Sequence, residues 1–213
     1  PRRHLDRHGF SVFRKEPRLV AFLVTVFLFG LPGPATFTFL SLYAREIGMD
    51  QSAIARLMGV CGLVAVIGLP LSGTLSDRLG ARPVLAAAFL ALPARLLLQA
   101  VAAGSGGLYV AQLLHLFTWA GLEVTMYIYV TQITGDQDKG VAVSALVTTR
   151  TISGLIGSPL CGALAEHLGY RTMFVTMAAV GIAAFVAFLN VDRLAAVLPA
   201  FGSARRAVGN RQG

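Results

Sequence analysis

The sequence predicts an all-α polytopic membrane protein, a bundle of six transmembrane helices. Three observations predict it. Of 213 residues, 55% are hydrophobic and 13% charged, about half the charged share of an ordinary soluble domain. The mean hydropathy is +0.70. The apolar residues gather into runs of about 20, the length a helix needs to cross a bilayer. The net charge of +8 sits in short stretches between those runs. That is the pattern of membrane topology, not the basic face of a nucleic-acid binder.

The first run is Leu19–Tyr43, which has no charged residue. The second is Ile54–Leu75, the third Pro83–Ala103 and the fourth Leu108–Ile133. The fifth is Val141–Leu164 and the sixth Thr172–Val191. Each must be helical, because only a helix satisfies its own backbone groups in lipid. Pro32, Pro34, Pro70, Pro93 and Pro159 then read as kinks. Cys61 and Cys161 lie inside apolar runs without metal-ligand spacing and read as small packing residues.

Lys and Arg placement orients the bundle. Thirteen of the eighteen lie on one side, in the N-terminal stretch, the turns after the second and fourth runs, and the tail. Arg45, Arg56 and Arg171 lie on the other, and Arg95 and Arg150 fall inside runs. The bias puts both termini in the cytoplasm of a protein integral to the plasma (inner) membrane. The chain divides into a cytoplasmic linker (1–18), six helices (19–192) and a basic cytoplasmic tail (193–213). It starts at Pro1, without methionine or signal-peptide pattern. This predicts that it begins inside a longer protein.

The turn "GTLSDRLGARP", Gly73 to Pro83, concentrates charge between two apolar runs. By charge alone it is a solubilising turn on the cytoplasmic side. Gly80 can supply the positive φ of a reversal, and Gly73 can admit a neighbouring helix. Asp77 can pair with Arg78 or Arg82, or accept from a helix N-terminus.

The order of residue types adds to this. Gly73, Asp77, Arg78, Gly80 and Arg82 stand at the spacing of a loop signature that resembles that of the major facilitator superfamily. "SGLIGSPLCGALAEHLGYRTMF" resembles the family's Gly-rich span and its exit, and "FSVFRKEPRLVAFL" its linker into the second half. Together these cover most of residues 11–192. The resemblance implies one six-helix half, the C-terminal one, of a twelve-helix fold. The N-terminal half would be absent, and the Gly80 turn would act in conformational gating.

Within the superfamily the chain resembles the lactose-permease-like sugar–proton symporters. Arg95 stands twenty residues before His115, "LLHLF" surrounds His115, and Arg150 stands nineteen residues before Gly169, where that group has a lysine. Against this, that group's glutamate is Thr118 here and its lysine is Gln112. Its two aspartates in the first span of this half have no counterpart. A drug- or metabolite-efflux member fits the signature equally well.

Charges inside spans cost at least about 2.5–3.5 kcal/mol each, so they mark cavities. Arg95, in "LALPARLLLQA", lies too deep to snorkel easily and reads as a cavity-facing arginine for an anionic or hydroxylated substrate. A structural ion pair is the plainer reading. Gln112, His115, Trp119 and Glu123 fall within about 80° on a regular helix. His115 can change protonation near neutral pH. Glu123, the one carboxylate inside this half, can carry a proton or sit in a salt bridge to Arg95 or Arg150. Trp119 is a platform for a ring or a packing residue. Gly154, Gly157, Ser158 and Gly162 suit close helix packing.

No nucleotide loop, GxSxG, HExxH or CxxC occurs. The expectation is therefore no enzyme, no cofactor and no metal. The chain is expected to be half of a secondary transporter with Arg95, His115, Trp119, Glu123 and Arg150 lining its cavity, its partners being protons, lipid and a small solute (sugar, organic anion or drug). The alternative is a six-helix membrane scaffold or sensor that transports nothing.

Overall fold

The computed structural model describes residues 12–197. Most of the predicted linker arginines (Arg2, Arg3, Arg7) and the tail's Arg205, Arg206 and Arg211 lie outside the described residues. All regular structure among the described residues is helical, as the need to satisfy backbone groups in hydrocarbon demands.

A short α1 (Val12–Lys15) leads into α2 (Pro17–Gly30), which begins on a proline, where the missing N–H costs nothing. α2 and α3 (Gly33–Glu46) make the first span, interrupted at Leu31 and Pro32. α4 (Gln51–Leu79) is capped by Asp50, whose carboxylate accepts from the Ala53 N–H at 2.6 Å. That bond is the main reason the Asp50 carboxyl lies below its usual 3.8. α4 runs through Asp77 and Arg78 and stops at Gly80 (φ 86°, ψ 156°), and α5 (Ala81–Val101) starts on the next residue. The connection expected between Leu75 and Pro83 is thus a single glycine.

The fourth span is α6 (Ser105–Leu113), a π-helical turn (Leu116–Ala120) and α7 (Gly121–Gln132). α8 (Lys139–Leu189) has 51 residues. A straight helix of that length would reach about 77 Å, more than twice the hydrocarbon thickness. It reverses at Gly169 (φ 80°, ψ 161°) into 139–168 and 170–189. Five helical runs are long and apolar enough to cross a membrane, and this reversal makes them six spans. α9 (Val191–Val197) follows.

Gly80 and Gly169 share one backbone conformation and one local sequence. Gly73-Thr-Leu-Ser-Asp-Arg-Leu-Gly80-Ala-Arg82 matches Gly162-Ala-Leu-Ala-Glu-His-Leu-Gly169-Tyr-Arg171 in register. The two turns lie at opposite ends of the bundle. At one end Asp192 pairs with Arg18 (3.1 Å) and Arg82 (3.0 Å), and Lys15 lies 3.9 Å from Asp138. At the other, the Tyr43 hydroxyl donates to the Ala102 carbonyl and Arg171 Nε donates to Tyr43. Three spans that repeat upside down are the pattern of inverted repeats in transporters.

Aromatic side chains join the spans. Phe89 stacks on Phe188 (4.8 Å, 13°), and Phe22 meets both Phe188 and Tyr129. Tyr43 meets Tyr170 and Phe174 near the far end. Leu63, Val66, Val101 and Leu155 stand outside, 63–73% exposed, which is the surface a bilayer covers at no cost.

The glycines expected to serve packing divide. A Cβ at Gly157 would collide with the Leu31 backbone, and one at Gly162 would make ordinary contact with Phe39. At Gly73 and Gly154 it would meet nothing, and Ser158 is exposed. Close approach therefore does not explain those three. Gly154 and Ser158 instead line a cavity.

Candidate functional site

Between α2, α3, α5, the fourth span and the first half of α8 lies a partly open cavity of about 670 Å³. Arg95, His115, Trp119, Glu123 and Arg150 all line it. α3, α5, the fourth span and α8 each bring polar groups to this cavity (Thr36; Arg95; His115, Thr118 and Glu123; Arg150 and Thr151), the setting in which a charge within a span is tolerated.

Arg95 is 1% exposed. Its Nη1 donates to His115 Nδ1 (2.8 Å) and Thr118 Oγ1 (3.1 Å). Its Nη2 donates to Gln112 Oε1 (2.5 Å) and to the Thr36 carbonyl (3.1 Å). Every one of these partners is neutral, and Nε has no partner among the described residues. Gln112, where the sugar symporters carry lysine, supplies the acceptor a guanidinium needs.

A guanidinium has only donors, so Nδ1 of His115 must accept, and the ring proton sits on Nε2. A second proton at Nδ1 would set donor against donor. The expectation that His115 changes protonation near neutral pH therefore does not fit this network.

Glu123 and Arg150 form a two-point ion pair, Nη1 to Oε1 at 2.9 Å and Nη2 to Oε2 at 2.6 Å. Their side chains are 27% and 29% exposed, half open to the cavity. Of the two salt bridges considered for Glu123, the one to Arg150 is formed. Planar matching of guanidinium to carboxylate makes this the strongest type of ionic hydrogen bond.

Of the four residues expected on one stripe of the fourth span, His115, Trp119 and Glu123 line the cavity and Gln112 bonds to Arg95 beside it. The π turn at Leu116–Ala120 changes the angular step, as such turns do near functional sites. Gln112, His115 and Thr118 turn to Arg95, whereas Glu123 turns to Arg150. The Trp119 ring lies 6.1 Å from His115 at 15°, and the Phe37 ring lies 5.7 Å from it at 52°. Phe37 and the Thr36 carbonyl are not singled out by the sequence, and Thr118 stands out there only as a departure from the symporter pattern. Gln99 was also missed. It is fully buried, and neither amide atom has a partner among the described residues. Its i+4 spacing from Arg95 was the available signal.

The turn residues lie apart from the cavity. Arg82 pairs with Asp192 and not with Asp77. Asp77 and Arg78 are exposed and form no ion pair among the described residues. No cluster of His, Cys, Asp or Glu among the described residues has metal-site geometry.

A helical bundle with membrane-length spans and a cavity lined by charged side chains is that of an integral membrane protein. The chain belongs to the major facilitator superfamily, whose family model matches residues 2–92 and 22–208. It is also 27% identical over 180 residues to the Multidrug resistance protein MdtG of Erwinia billingiae (strain Eb661). That alignment covers 81% of this chain and 44% of the relative, so the chain spans less than half of that protein's length. The family points to transport.

Proposed function

We propose that this chain is the C-terminal half of a proton-coupled secondary transporter that moves a small solute by alternating access. The plasma membrane would hold 19–192, with the linker 1–18 and the tail 193–213 both cytoplasmic. The observation that carries the reading is the partly exposed Glu123–Arg150 pair on the wall of a partly open cavity. An ion pair kept only for structure gains nothing from facing a hollow, where water screens it. A second six-helix half would close the cavity and bring the solute between the two.

In this reading Glu123 takes a proton on its carboxylate and lets go of Arg150. Arg150 is then free for solute or for the facing half. The drug-resistance name of the relative favours export of a drug-like solute, and the Thr118 and Gln112 departures weigh against sugar. Gating falls to the Gly80 turn, with Arg82 held on Asp192 in the state described and Asp77 turned outward, free to meet the facing half. The non-transporting scaffold would have the buried charges neutralised among themselves with no hollow beside them, so the cavity weighs against it.

The test is Glu123→Gln in the full-length protein in liposomes. Proton-driven solute movement falls at least ten-fold, while solute exchange without a proton gradient persists. Unchanged proton-driven movement overturns the coupling role.

A further inference from the structure

The charges on the cavity wall do not balance. Glu123 is the one carboxylate lining it among the described residues, and Arg150 occupies both its oxygens. Arg95 keeps its full positive charge, because arginine does not deprotonate in proteins. Four neutral atoms receive its donors and none cancels the charge.

The same network fixes what His115 offers. With Nδ1 accepting from Arg95, Nε2 carries the proton, and it makes no hydrogen bond to any described residue. The cavity thus meets an N–H donor backed at 2.8 Å by a guanidinium. Phe37 and Trp119 flank it, 47% and 42% exposed.

We propose that the cavity takes an organic anion, its negative group on His115 Nε2–H in front of Arg95 and its apolar body against Phe37 and Trp119. The inference rests on the transporter reading and names that transporter's substrate class. A cation would face Arg95 uncompensated unless it broke the Glu123–Arg150 pair. A neutral solute would leave the buried charge as it stands, whereas an anion completes it. In this poorly polarisable surrounding, opposite charges a few ångströms apart attract far more than in water. Arg95 is a positioning residue here, acting through His115.

The experiment uses the full-length protein in liposomes and three probes with one ring system: 2-naphthoate, 2-naphthamide and 2-naphthylmethylammonium. Equilibrium binding should favour naphthoate over naphthamide at least ten-fold, with the ammonium weakest. Arg95→Lys keeps the charge and retains the preference, and Arg95→Gln reduces the anion-to-amide ratio to near one. If Arg95→Gln does not fold, His115→Phe, which removes the donor, must cut the same ratio at least five-fold. Equal or tighter binding of the amide or the ammonium overturns the proposal, as does failure of all three to bind at millimolar concentration. Naphthoate that binds with the stated preference but is not moved by any gradient refutes the transport reading and leaves the anion site standing. Movement of the ammonium or the amide alone does the reverse.

Discussion

At the residue scale, Arg95 shows how a buried cation is tolerated. Its cost in hydrocarbon is offset by four hydrogen bonds from two terminal nitrogens, a geometry that the planar guanidinium has and ammonium lacks. Arg95→Lys keeps the charge but reaches at most three acceptors. One of His115, Thr118, Gln112 or the Thr36 carbonyl is then unpaired in a dry setting. A charged hydrogen bond is worth about 1.5–3 kcal/mol, so the variant should lose about 2 kcal/mol of stability, read as a lower melting temperature of the purified protein. An unchanged melting temperature would mean that the four bonds contribute little. The depth of Arg95, Glu123 and Arg150 was legible in the sequence, because a charge in an apolar run announces its own cost. Which charge meets which was not. That depends on helix rotation, and no propensity rule foretells the π turn at Leu116–Ala120 between Gln112 and Glu123.

At the element scale, the spans were legible from length and apolar content, since a bilayer sets both. The joints were less so. Asp77 and Arg78 look like loop residues by charge, yet they form the last turn of α4, because the reversal needs only the one residue that tolerates φ 86°. The small residues of α8 looked alike in sequence and differ in place. Gly157→Ala drives a methyl into the Leu31 carbonyl and should cost about 1–3 kcal/mol. Gly154→Ala meets nothing and should stabilise the helix by up to about 1 kcal/mol. Thermal unfolding of the two variants side by side checks this. Equal shifts of the same sign would mean that α8 and α2 are not in contact at Leu31.

At the scale of the whole molecule, the fold reads as three spans and their upside-down repeat. The matching "LSDRLGAR" and "LAEHLGYR" segments carried that message in the sequence, 89 positions apart. Their equivalence became plain only when both glycines were seen in one conformation at opposite ends. Asp192 ties the start of α2, the Gly80 turn and α9 together at one end. Tyr43 joins the 102 and 171 segments at the other. Between these ends lies the partly open cavity. The Glu123–Arg150 pair on its wall is partly exposed, so water should reach this wall, and that can be probed directly.

The deciding measurement is thiol labelling by a membrane-impermeant reagent in the full-length protein, with other cysteines removed. Thr151 and Ser158 line the cavity, and Leu155, between them in sequence, stands 73% exposed outside it. The account predicts rapid labelling of Thr151→Cys and Ser158→Cys and at least ten-fold slower labelling of Leu155→Cys. Equal rates at all three, or silence at Thr151 and Ser158, would contradict a watered passage and with it the transporter built around these charges.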